Sequence, residues 1–199
     1  TSLSPTSLSL SPSSSPLASP TPLSSWPSPP VRFTPPPGFA LLLADIRGGS
    51  NTPSMVRKVL AWKKDKKEEA EKLWNDLNDH NNKVGEGFEL LSQLHIQNPE
   101  EYQLSLSRWT NNNNNEKEND VTKVLDSIHS HFQQVRKLLK TMGDNADVPI
   151  EPEQQTKLLD NTISNCPGVV MSGVPGAGGY DSLFCLVRDT PEDIKQVED

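Results

Sequence analysis

The stretch "SGVPGAGGYDSLFCLV", Ser172 to Val187, decides how the chain is read. An apolar run, "GVVMSG", precedes it, and "DSLFCLVR" closes it. The pattern predicts strand, glycine loop, strand. Glycine accepts positive φ and leaves room for close approach, so such a loop suits either a tight turn or contact with an oxyanion or phosphate. On the residues alone, a turn between strands is the commoner use. Gly176, Gly178 and Gly179 do not have the G-x-G-x-x-G spacing of a dinucleotide site. No G-K-[ST] ending makes the loop a P-loop.

A second strand–loop–helix unit lies upstream. "GFALLLADI", Gly38 to Ile46, follows a proline cluster and is short and apolar, which predicts a buried strand. "RGGSNTP" follows, and Thr52 is expected to cap a helix with Pro53 at its first position. Met55, Val56, Val59 and Leu60 give that helix an apolar stripe. A helix start here is expected to leave unpaired N–H groups and a positive dipole end facing out of the loop. Asp65 and Glu68 read as a capping box for a second helix, carried by Leu73, Trp74, Leu77, Val84, Phe88 and Leu91. A short helix is expected near Tyr102 to Trp109. Val121, Val124, Leu125, Ile128, Phe132, Val135, Leu138, Leu139 and Met142 give the clearest helical period, with Gly143 as its terminator. A further helix spans roughly Glu153 to Asn165, and "TPEDIKQVED" starts the last. Few strands separated by helices make the class α+β or α/β.

Composition sets limits. Hydrophobic residues make up 33% of 199 and the net charge is −7. That balance argues against a nucleic-acid surface, which needs a basic patch. No apolar run is long enough to span a bilayer. Most of the 18 prolines precede Gly38, and the Ser/Pro-rich segment 1–31 is expected to be disordered. Order is expected over 32–199, broken by a low-complexity loop at about 110–119. Cys166 and Cys185 form no C-x-x-C pair, so zinc and redox readings have no support, and both are expected to be packed thiols of a reducing, cytoplasmic compartment. His129 and His131 point to opposite sides of a helix, and His80 and His95 lack companions, so no metal site is expected. No Ser–His–Asp constellation stands out.

Three blocks in order, "LLLADIRGGSNTPSMVRKVLAW", "VPIEPEQQTKLLD" and "PGVVMSGVPGAGGYDSLFCLV", resemble the C-terminal half of the eukaryotic (fungal and plant-type) phosphomevalonate kinases, members of the GHMP kinase superfamily. The resemblance runs from about Phe33 to Val187. It implies a helix-rich α+β, ferredoxin-like C-terminal lobe, incomplete at its end. It implies an enzyme that moves the γ-phosphoryl of ATP, with Mg²⁺, to phosphomevalonate, giving diphosphomevalonate on the route to isoprenoids and sterols. Under it, Gly176, Ala177, Gly178 and Gly179, with Tyr180 and Asp181 beside them, line the cleft between lobes. Ser50, Asn51 and Thr52 match the family's strand-to-helix loop, and Arg47 and Arg136 are further candidates for phosphate contact. The superfamily's P-x-x-x-G-[LS]-G-S-S loop and catalytic aspartate lie in an N-terminal lobe that this chain lacks. No catalytic residue is therefore assigned, the chain is expected to be a fragment, and by itself inactive. The alternatives are another GHMP small-molecule kinase or a non-catalytic binding module. Partners are the small molecules alone, with no nucleic acid or membrane; oligomeric state is left open.

Overall fold

In the computed structural model, residues 33–46, 48–112 and 119–199 are described. The Ser/Pro-rich segment read over 1–31, Arg47 and most of the Asn-rich stretch lie outside them. Contacts divide the chain into Thr1–Thr34 and Pro35–Asp199, and every element below belongs to the second unit.

The order is β1 (Phe39–Asp45), α1 (Thr52–Asp65), α2 (Lys67–Gln97), α3 (Pro99–Arg108), α4 (Asp120–Ala146), α5 (Glu153–Asn165), β2 (Val169–Gly173), β3 (Ser182–Arg188) and α6 (Pro191–Glu198). This is a helix-rich α+β arrangement around one antiparallel sheet of order β1-β3-β2. In β3, Leu183, Cys185 and Val187 are buried while the residues between them are half-buried. The alternation divides the sheet into two faces. Cys185, Val187, Val169 and Cys166 pack with Ile163, Ile194 and Val197 of α5 and α6. Val170, Met171, Leu186 and Phe39 pack with Phe88, Leu91, Tyr102, Trp109, Leu125 and Ile128 of the α2–α4 layer. Both thiols are free and buried. Burial, and then Cys166, push the Cys185 thiol up to about 12.

Several expectations are corrected. β1 is an edge strand rather than a buried one: among the described residues it pairs only with β3, and Leu41 and Leu43 are 60% and 70% exposed. Asp65 caps nothing. It ends α1, and the next helix starts from Lys66 without a side-chain cap. The Lys66 N–H still bonds to Trp62 O, and Lys66 O accepts from Ala70, so the chain bends between α1 and α2 with little loss of bonding. Gly143 does not terminate α4, which runs three residues further to a left-handed cap at Asp147, φ 53°. Its missing side chain serves close approach: a Cβ there would stand 2.7 Å from Val148 O. The returning segment 148–150 therefore lies directly on α4, where Val148 and Ile150 join Met55, Trp62, Leu73, Met142 and Ala146 in a second core.

His129 and His131, neighbours on α4, pair with other elements rather than with each other. His129 Nδ1 donates to Val170 O at 2.9 Å. His131 meets His80 of α2, Nδ1 to Nδ1 at 2.8 Å, so His80 does have a companion, 51 residues away. A contact of that kind shares one proton. Burial lowers the pKa of His129 from 6.5, as does the charge of Arg136, against the Val170 bond and Asp126. Burial, His80 and Lys83 lower His131, against Glu86. The unfolded chain therefore takes up these protons first, and stability is full above the ordinary value of 6.5 and falls as pH drops through the lowered folded values. Urea midpoints should decline as pH falls below about 6.5, and His131→Gln should flatten part of that decline. A midpoint that is constant or rises over this range contradicts the assignment.

Candidate functional site

Two of the three blocks that carry the family resemblance meet at the end of the sheet where β1 and β2 finish and β3 begins, and the third lies against them. The β1–α1 loop runs beside the glycine loop. The Ile46 N–H donates to Asp181 O at 2.8 Å, and the Tyr180 N–H donates to Ser50 Oγ at 3.0 Å. Behind them, Ile150 O accepts from the Gly179 N–H at 2.8 Å.

The glycines have separate tasks. Gly176, Gly178 and Gly179 adopt φ of 66°, 79° and 104°. A Cβ on Gly178 would overlap the Ile150 carbonyl, and one on Gly179 would overlap Ser50 Oγ. These two positions thus join the loop to its neighbours, and their N–H groups turn inward, to Pro175 O and Ile150 O. Beyond its chain neighbours, no described atom stands within 4 Å of a Cβ built on Gly176. Among the described residues, the N–H groups of Gly176 and Ala177 have no hydrogen-bond partner, so the tip is where the loop offers donors. Asp181 contributes its carbonyl to the joint with β1.

The start of α1 differs from the expectation. Asn51, not Thr52, is the N-cap, its side chain accepting from the Ser54 N–H, and Pro53 follows one position inside the first helical residue. The Thr52 N–H goes to Ser50 O, and Ser54 and Met55 donate to Asn51 O. Pro53 has no N–H. The first turn therefore keeps its dipole but has few free donors for an anion, because the asparagine and the tight Ser50–Thr52 turn take them. Ser50 is better placed: its hydroxyl accepts from Tyr180 and keeps its own proton to give.

Arg136 lies away from the loops. Its guanidinium is buried in α4, with Nε and Nη2 on the two carboxylate oxygens of Glu151 at 3.1 and 2.6 Å. Nη2 also stands 3.0 Å from Asp160 of α5, and Nη1 donates to Gln133 at 3.1 Å. Burial alone would lower its pKa, but Glu151 and then Asp160 outweigh that and raise it. The group fixes segment 148–153, and with it the Ile150 carbonyl under Gly179. Arg47, its companion in the sequence reading, lies outside the described residues.

A cleft of about 230 Å³ opens between the two loops and the end of α4, lined by Ser50, Asn51, Ser54, Lys58, Asp147 and Tyr180 among others. Lys58 was not singled out in the sequence. The signal that finds it is helical spacing, since Asn51, Met55 and Lys58 stand four and seven positions apart on one face of α1. A neighbouring cleft of about 490 Å³ is more acidic, holding Lys140 beside Asp144, Asp147, Glu151 and Glu153. Among the described residues, no group of three or more His, Cys, Asp or Glu side chains could hold a metal, and no helix is long and apolar enough to cross a membrane.

No family model matches the chain. Curated relatives do match, and they are kinases. Over 163 residues the chain is 36% identical to a phosphomevalonate kinase of Aspergillus fumigatus, covering 82% of this chain and 29% of that protein. It is 35% identical over 166 residues to the phosphomevalonate kinase of Candida albicans, covering 83% and 35%. It is 35% identical over 170 residues to a protein of Arabidopsis thaliana named phosphomevalonate kinase, peroxisomal, covering 81% and 34%. The similarity read from the three blocks is thus to phosphomevalonate kinases, and the chain spans about a third of the length of these relatives. A solved structure, the Lin0012 protein from Listeria innocua, superposes with a TM-score of 0.49 at 16% identity, covering 82% of this chain and 36% of that one. That likeness is too loose to assign a fold.

Proposed function

We propose that this chain is the C-terminal part of a phosphomevalonate kinase, folded as a ferredoxin-like lobe of the GHMP kinase type over 32–199. The complete polypeptide moves the γ-phosphoryl of ATP to phosphomevalonate. The observation that carries the reading is the joint between the loops, in which the Tyr180 N–H bonds to Ser50 Oγ. Two segments far apart in sequence, both resembling the kinases, are held as one surface. Transfer of a phosphoryl group needs little covalent chemistry from the protein and much positioning and charge stabilisation. In this reading the Ser50 hydroxyl and the N–H groups of Gly176 and Ala177 contact phosphate oxygens. Gly178, Gly179, Asp181, Asn51 and Thr52 hold the two loops in shape, and Arg136 positions the segment beneath. Arg47 remains a candidate for direct contact.

ATP and Mg²⁺ belong to the complete enzyme. The described side chains do not fit a metal, so no ligand to Mg²⁺ is assigned in this chain and no step is routed through the ion. The catalytic base is assigned to the N-terminal lobe. It follows that the 199-residue chain alone is inactive. We place the enzyme in the cytoplasm, although the Arabidopsis relative is named as peroxisomal.

The test is ADP release by the complete polypeptide with ATP and either phosphomevalonate or mevalonate. Turnover with phosphomevalonate alone is expected. Turnover with mevalonate alone moves the chain to another GHMP kinase, and no turnover with either favours a non-catalytic module. Appreciable release by the 199-residue chain alone would sink the claim that it is inactive.

A further inference from the structure

We propose that Lys58 is the side-chain cation that grips the substrate's phosphate at this cleft, and that Asp147 holds its ammonium until the phosphate arrives. The proposal rests on the phosphomevalonate kinase reading above and adds a residue to it. Lys58 is the only cationic side chain among the described residues lining the smaller cleft, which it shares with Ser50, Asn51, Ser54 and Tyr180. Its Nζ donates to Asp147 O and Asp147 Oδ2, both at 2.8 Å.

Three observations point to Lys58 rather than to another cation. The first turn of α1 has spent its N–H groups on Ser50 and Asn51, so a phosphate there lacks a full set of backbone donors. Arg136 is bound to Glu151 and Asp160 and is buried. Lys140, the cation of the larger cleft, lies 3.8 Å from Glu153 and bonds weakly to Glu151 O, among acids that repel a dianion. Among the described residues, Lys58 is left as the positive charge that lines this cleft.

The hold on it is light. The Lys58 and Asp147 side chains are 50% and 96% exposed, and an exposed ion pair contributes little. Asp147 sits at the C-terminal end of α4, whose dipole adds to its attraction for an ammonium. A phosphate dianion offers more charge and more acceptor oxygens than one carboxylate. It can therefore take Lys58 across the cleft toward Ser50, leaving Asp147 to solvent. Without a ligand, the Asp147 contact keeps the cleft near neutral.

The phosphate could come from the substrate or from the nucleotide, and steady-state kinetics on the complete polypeptide separates the two. Lys58→Met is expected to raise KM for phosphomevalonate roughly 10-fold or more. KM for ATP and kcat should stay within about threefold, and Lys58→Arg should recover part of the loss. Asp147→Asn, which removes the competing charge but keeps the backbone carbonyl contact to Lys58, should lower KM for phosphomevalonate. Lys67→Met, an exposed lysine on α2, serves as control. A rise confined to KM for ATP overturns the proposal, as does a fall in kcat with KM unchanged. If Ser50→Ala raises KM for phosphomevalonate while Lys58→Met does not, the role of Lys58 fails and the kinase reading stands. If the wild-type polypeptide does not act on phosphomevalonate, the kinase reading itself fails.

Discussion

Replacing Arg136 by Met should lower the unfolding free energy by about 3–5 kcal/mol, one of the largest effects of any single change in this chain. The reason is the partner left behind. Glu151 is 3% exposed and receives two hydrogen bonds from the guanidinium. Without them its carboxylate must stay charged without a counterion, take up a proton, or break its surroundings open. Asp160 is 59% exposed and loses little. Changing both residues, Arg136→Met with Glu151→Leu, should return much of the loss, because a buried ion pair is often no more stabilising than apolar groups of similar volume. Urea denaturation of the two variants measures this directly. An equal loss in the single and double variants would mean that the guanidinium acts through packing and not through Glu151. The single variant should also loosen the Gly179 amide, since Glu151 follows directly on Ile150, whose carbonyl accepts that N–H.

Gly179→Ala should have the largest effect on activity. At φ 104° an L side chain is strained, and here its Cβ also overlaps Ser50 Oγ. The two loops must separate or rotate. A displacement of about 1 Å in a site that works by positioning can lower kcat/KM about 100-fold. Unfolding should change far less, by roughly 1–3 kcal/mol, the ordinary range for a strained backbone position. Gly85→Ala is the control: no atom lies near its Cβ, and it sits inside α2. It should leave activity unchanged and stabilise the helix by about 1 kcal/mol. Equal kcat/KM for Gly179→Ala and wild type would remove the joint between the loops from any account of the site.

The helices were legible because their apolar period is long. The pattern from Val121 to Met142 lies wholly inside α4, and the breaks before Pro99 and Pro191 carry side-chain caps at Asn98 and Thr190. Positions where two signals compete were less legible. Both Asn51 and Thr52 can cap a helix, and the asparagine does so, its Oδ1 accepting from the Ser54 N–H and its carbonyl from Met55. Gly143 looked like a terminator, yet its role depends on a chain return five residues later that local sequence does not encode. The apolar run in β1 suggested burial, but strand order, and not composition, decides which strand lies at the edge. The site divides in the same way. The glycine loop and "GSNT" were visible as motifs, whereas their contact, the His80–His131 pair and the position of Lys58 between Asp147 and the cleft come from tertiary structure. Arg136 as a clamp on Glu151 could be read only once the segment after α4 was seen to fold back.

The central claim is that the β1–α1 loop and the glycine loop form one phosphate-binding surface. Hydrogen exchange on the complete polypeptide, with and without phosphomevalonate, tests it most directly. Protection should appear together in the peptides spanning 47–55 and 173–181, and mevalonate, which lacks the phosphate, should give little of it. Protection in only one of these segments, or in neither while phosphomevalonate is turned over, would contradict the account.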